Sequence, residues 1–164
     1  MNANDFKDGG EYEAYRAVCE IQGRDVIVHV YYEGGLSREN CPLETIMPKI
    51  EESVKMISDR GKLAKALKRD GIIDRAEEWV YESEPVDDDE DCFIIDGVEV
   101  RLPISVETFA ESLRVNGLGI TFDGSADNFF AEVFLYCSPD YFAGHSIEVR
   151  INSDGSMECL GLAG

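Results

Sequence analysis

The chain has 164 residues with 44% hydrophobic and 10% aromatic content, which suits one globular domain with a real core and excludes a disordered chain. Its formal net charge of −19 argues against nucleic-acid backbones and anionic membrane surfaces, both of which would repel it. No run of about 18 apolar residues marks a membrane-spanning helix, and the polar start Met1–Gly10 lacks the apolar core of a signal peptide, so the expected address is the cytoplasm.

Residues 1–13 read as a frayed lead. Tyr15–Ile21 and Val26–Tyr32 then form an expected hairpin across Gln22-Gly23-Arg24-Asp25. Both faces of its second strand are fairly apolar, so the strand is expected to be central or covered, with His29 a packed or edge residue rather than a ligand. After Glu33-Gly34-Gly35, residues 42–82 read as helical. Leu43, Ile46, Met47, Ile50, Val54 and Ile57 follow helical spacing. Pro42 suits a first turn, whereas Pro48 predicts a kink or a later start. Asp59 is a good cap for a second helical piece, whose exposed side carries Arg60, Lys62, Lys65, Lys68 and Arg69 as a solvated basic face. Gly71 breaks the run. A third piece reaches Tyr81, with Trp79, the single tryptophan, as the anchor of these helices on a sheet.

Residues 83–91 read as an acidic linker. Asp87, Asp88, Asp89, Glu90 and Asp91 form a like-charge run without the glycine and spacing of a calcium loop, so no metal site is expected there. They are instead candidates for binding a basic partner. Residues 92–164 hold a hairpin about Asp96-Gly97, a helix capped by Ser105, and four runs of a closing meander: Gly119–Phe122, Asn128–Tyr136, His145–Ile151 and Met157–Leu162. In the second run Phe129, Ala131, Val133 and Leu135 alternate against Phe130, Phe134 and Tyr136.

These elements predict a single α+β domain: a mainly antiparallel sheet with a four-strand C-terminal meander and helices packed on one face. The earlier hairpins either extend that sheet or form a second small one. The helix with Phe109 and Leu113, the aromatic strand, the segment Phe142-x-Gly144-His145-Ser146-Ile147-x-Val149, Asp154-Gly155 and Gly161 resemble a bacterial family of unknown function, the "twenty-two sixty-two" type. The resemblance covers roughly residues 40–164 and implies an architecture with little chemistry. At Ala143 the family favours a bulky aromatic, so this chain departs from its pattern there.

His145 is the candidate base, and Cys137 lies near it in sequence. Ser146 points to the opposite face of a strand and cannot easily serve it. A half-buried imidazole bonded to a backbone carbonyl accounts for His145 without catalysis, and Gly144 fits a bulge or a close backbone approach. No hydrolase elbow, phosphate loop, zinc-protease or dinucleotide motif is present. The five cysteines (Cys19, Cys41, Cys92, Cys137 and Cys159) are scattered and read as reduced thiols, with no zinc cluster and no cofactor expected. Residues 85–164 carry 16 Asp and Glu against three Arg. The expectation is therefore a noncatalytic acidic protein-binding module, immunity-like or antitoxin-like, monomeric or homodimeric, with a basic protein partner. The alternative is a small hydrolase or ligand-binding enzyme using His145 with Cys137 or a distant carboxylate.

Overall fold

The computed structural model describes residues 3–10, 12–86 and 89–164. A seven-stranded sheet runs in the order β1-β2-β3-β7-β8-β9-β10, and a three-stranded sheet in the order β4-β5-β6. The large sheet comprises β1 (Lys7–Asp8), β2 (Tyr15–Ile21), β3 (Arg24–Glu33), β7 (Leu113–Asp123), β8 (Phe129–Cys137), β9 (Ser146–Asn152) and β10 (Met157–Ala163). The small sheet comprises β4 (Pro85–Val86), β5 (Asp89–Ile95) and β6 (Val98–Arg101). Four helices, α1 (Leu43–Ser58), α2 (Arg60–Arg69), α3 (Ile72–Tyr81) and α4 (Val106–Ser112), complete the α+β fold.

Both placements of the hairpins occur. The N-terminal hairpin extends the meander, because β3 pairs with β7 in parallel from Ile27↔Gly117 to Glu33↔Asp123. The Asp96-Gly97 hairpin joins the separate small sheet. All other ladders are antiparallel. Alternation then sorts the large sheet into two faces. Val26, Val28, Val30, Leu118, Ile120, Phe122, Ala131, Val133, Leu135, Ile147, Val149 and Ile151 form one buried face. They share a core with Ile46, Ile50 and Ile57 of α1, Leu63 and Leu67 of α2, Ile73 and Val80 of α3, and Phe109 of α4. Removing that much apolar surface from water drives the packing.

The strand β7 is much longer than the Gly119–Phe122 run that composition suggests. Asn116-Gly117-Leu118-Gly119 reads as a loop, yet the segment is laddered to β3 on one side and β8 on the other. Two ladders outweigh weak strand propensity. A register shift between Val115 and Gly117 absorbs one residue. The lead is also not wholly frayed, since Ala3–Asp5 forms a 3-10 turn and β1 pairs with β2. The acidic run is not simply a linker: Asp89, Glu90 and Asp91 belong to β5. Asp87 and Asp88 lie outside the described residues. In α1 the start is Leu43, and Pro48 is carried in the second turn; burial of Ile46, Met47 and Ile50 around it compensates the lost backbone bond.

Local signals place the ends. Asp59 accepts from the Lys62 amide at 2.9 Å, and Ser105 from the Thr108 amide at 3.0 Å. Gly71 has φ +77 and separates α2 from α3. At the end of the parallel ladder the Gly124 amide donates to Glu33 O at 3.2 Å. A Cβ on Gly34 would stand 2.5 Å from that amide nitrogen, so the two chains meet there only because residue 34 lacks a side chain.

The free edge of β10 is blocked by α2. The Asp70 carboxylate accepts from the Cys159 amide at 2.9 Å and pairs with Arg69 at 2.7 Å, while Arg69 donates to Met157 O. A charged clip on an otherwise unpaired edge also discourages strand addition by other chains. The Arg69 guanidinium holds the Asp70 carboxyl below its ordinary value, against the opposing effect of burial. A depressed folded-state pKa contributes stability above the unfolded value, and that contribution is lost as pH falls through the folded one. Asp70→Ala is expected to lower unfolding free energy by about 1–2 kcal/mol at neutral pH. The difference from the parent should close in acid, as read from urea midpoints across pH. An unchanged midpoint at neutral pH would remove the clip from the account.

Candidate functional site

His145 sits one residue before β9, at the mouth of a tight loop. The loop is built by Asp140, whose carboxylate accepts from the Phe142 amide at 3.0 Å and the Gly144 amide at 2.6 Å. Ala143 at φ +49 and Gly144 at φ +91 close the turn. Nothing lies within 4 Å of a Cβ built on Gly144, so the positive φ, not a close approach, is what calls for glycine. Ala143 is exposed.

The loop delivers Phe142 into the core and lays His145 over it. The imidazole Nδ1 is 2.8 Å from Phe142 O. The Trp79 ring meets His145 edge-on at 5.4 Å and Phe142 at 5.8 Å. Trp79 thus docks α3 against the loop that starts β9. The Ser146 hydroxyl donates to Ala163 O at 3.2 Å and is spent on the β9–β10 edge.

Cys137 and His145 line one shallow depression, together with Asn116, Tyr136 and Asp140. The thiol itself faces the core and is buried. Burial pushes its pKa up to about 12, with a hydrogen bond from Ser112 acting weakly in the other direction. A neutral, buried thiol is a poor nucleophile at neutral pH. Among the described residues no carboxylate forms an ion pair with His145, so none of them is a charged orienting partner for the imidazole. The other histidine, His29, lies 3.0 Å from Glu13 Oε1 and stacks on Tyr31 at 6.2 Å. Among the described residues no group of three or more His, Cys, Asp or Glu is placed to hold a metal ion.

The acidic run is arranged differently. Asp89 is tied to Arg101 at 2.8 Å, while Glu90 and Asp91 are exposed. They do not stand alone. The small sheet packs beside α3, whose Asp74, Glu78 and the following Glu82 are exposed as well. Tyr81, 69% exposed, lies among them and touches the Phe93 ring at 5.8 Å. Asp74, Glu77, Glu78, Tyr81, Glu82 and Leu102 frame a shallow depression there. Residues 72–105 carry 12 Asp and Glu against two Arg, a balance of −10. Linear reading finds the charge run in residues 87–91; only the packing of α3 on β5 shows that the helix doubles it.

The second face of the large sheet is open, as helices packed on one face imply, but sequence reading misses the row that crosses it. No helix among the described residues covers it. A polar row, Arg16, His29, Gly119, Glu132 and Arg150, crosses it from β2 to β9. Arg150 pairs with Glu132 at 2.6 Å and lies 4.6 Å from the centre of the Phe130 ring. Val18 and Phe134 are exposed beside that row.

A family model described as "Uncharacterized protein conserved in bacteria (DUF2262)" matches residues 5–162. No curated protein and no solved structure matches at a significant level. No helix among the described residues is long and apolar enough to cross a membrane.

The burial of Cys137 makes a direct expectation. With iodoacetamide at mildly alkaline pH, the half-exposed Cys19 and Cys159 should be alkylated first. Cys137 should react only as the protein unfolds, as read by peptide mass spectrometry. Prompt labelling of Cys137 in the folded protein would restore it as a nucleophile.

Proposed function

The chain belongs to this bacterial family, and we propose that it acts as a noncatalytic protein-binding module for a basic partner, in the manner of an immunity protein or antitoxin. The observation that carries this reading is the acidic lobe formed by α3 and the small sheet. Exposed carboxylates at Asp74, Glu78 and Glu82 frame exposed Tyr81, and Glu84, Glu90, Asp91 and Glu99, with Ile94 and Val98, are exposed on and beside the small sheet. Aromatic and aliphatic anchors rimmed by charge are the make-up of a recognition surface. The like charges raise the encounter rate with a cationic protein and reject acidic ones. The five cysteines are all free, which suits the reducing cytoplasm.

The neutral Cys137 thiol and the carbonyl-bonded His145 weigh against a Cys–His hydrolase. Their neighbourhood reads instead as a structural joint between α3 and β9.

The test is capture from a bacterial lysate with the tagged protein at low and high salt. Parallel capture uses Glu78→Lys/Glu82→Lys/Glu90→Lys and, separately, Tyr81→Ala. The parent should retain basic proteins at low salt and release them at high salt. The charge-reversed variant should lose them, and Tyr81→Ala should retain less. Partners that ignore ionic strength and survive the reversal would count against the acidic lobe as the recognition surface.

A further inference from the structure

Three guanidinium groups gather at one end of the large sheet. Arg24 opens β3, Arg60 opens α2 and Arg114 lies at the start of β7. Tyr136 links the two on the sheet. It stands directly across from Arg114 in the β7–β8 ladder, and its hydroxyl accepts from Arg24 Nη1. The Arg24 guanidinium also lies 5.7 Å from the centre of the Tyr136 ring. The third arginine is brought in by the α1–α2 junction. Gln22, in the β2–β3 turn, donates from Nε2 to Ile57 O at 3.0 Å and holds that turn against the end of α1, three residues before Arg60.

The grouping is electrostatically unfavourable as it stands. Burial, and then the charges of Arg60 and Arg24, push the Arg114 pKa down. Arg114 satisfies Nη1 on backbone oxygens only, Glu111 O and Leu113 O. Arg60 Nε and Gln22 Oε1 are buried without a hydrogen-bond partner among the described residues. The chain has 34 carboxylates, and Arg38, Arg69, Arg101 and Arg150 each find one. Arg24, Arg60 and Arg114 find none among the described residues; Arg16 and Arg75 find none either, but stand apart from the other arginines. Like charges held together without a counter-charge, in a chain so rich in carboxylates, are what an anion site looks like when the anion is the ligand. Planar forks with a phenol beside them match the several oxygens of a phosphate group better than a single carboxylate.

We propose that Arg24, Arg60 and Arg114, with Tyr136, form a binding site for a small ligand bearing a phosphate or diphosphate group. The site uses none of the carboxylates of the acidic lobe, although Arg114 shares a cavity with Val98 and Glu99 of the small sheet, and it does not depend on the partner assigned to that lobe.

Sodium pyrophosphate, inorganic phosphate and citrate serve as probes, each against sodium chloride at equal ionic strength. Thermal midpoints and amide and arginine Nε signals in ¹⁵N spectra are the readouts. Pyrophosphate should raise the midpoint by several degrees and shift the amides of Gly23 and Gly61, with phosphate weaker and citrate weakest. Arg60→Gln and Arg114→Gln should each weaken pyrophosphate binding at least tenfold and should not lower the midpoint of the free protein, since each relieves repulsion. Arg16→Gln, outside the cluster, should leave binding unchanged. If Arg114→Gln does not fold, Arg24→Gln at the surface carries the same comparison. Pyrophosphate acting no differently from chloride, citrate binding more tightly than pyrophosphate, or shifts that persist in Arg24→Gln and Arg60→Gln would each overturn the site.

Discussion

The parallel ladder between β3 and β7 organises the molecule. Seven residue pairs, Ile27↔Gly117 to Glu33↔Asp123, join an N-terminal hairpin to a C-terminal meander. A parallel pair cannot be closed by a tight turn, so the chain has to leave the sheet and return from the other end. Residues 34–112 make that journey, and they carry all four helices and the small sheet. Val28 beside Leu118 and Val30 beside Ile120 place the hairpin's apolar row and the meander's in one continuous surface. The helices of the crossover cover that surface. Gly34 and Gly124 matter for the same reason: they let the two strand ends close on each other without a side chain between them.

That constraint also separates the chemistry. Because the whole crossover packs on one side, the second face of the sheet is left without a helix and carries its own paired charges, Glu132 with Arg150. Within the crossover, α3 and the small sheet collect exposed carboxylates. Where β3, α2 and β7 begin, three arginines gather. A chain of net charge −19 thus has a strongly acidic lobe and a small basic cluster, each assembled by the fold from separate segments. The loop holding His145 closes the arrangement, since Trp79 of α3 rests on both His145 and Phe142.

Local signals make much of the fold legible. Alternation in Phe129–Cys137 places its two rows, Asp59 and Ser105 announce their helices, and Asp96-Gly97 marks its hairpin. The family resemblance, read over roughly residues 40–164, agrees with a match that reaches further toward the N-terminus, over residues 5–162. Pairing between distant segments leaves no such mark. Asn116-Gly117-Leu118-Gly119 has the composition of a loop and becomes a central strand only because two neighbours ladder to it. Asp89–Asp91 looks like a solvated run and becomes a strand because Cys92 and Phe93 beyond it are buried against the rest. The arginine cluster is invisible for the same reason: positions 24, 60 and 114 are brought together by three elements that periodicity treats one at a time. The candidate nucleophile Cys137 is visible as a residue type, but its burial, which decides its reactivity, belongs to the packed core.

Native-state hydrogen exchange across the parallel ladder tests this account most directly. If β3 and β7 form the spine of one cooperative unit, the buried-row amides of residues 26–32 and 117–122 should exchange together, through global unfolding, with the same dependence on denaturant. Faster exchange of the β2–β3 hairpin, at a free energy well below that of the meander and with a smaller denaturant slope, would show that the hairpin is an appendage and that the ladder does not organise the fold.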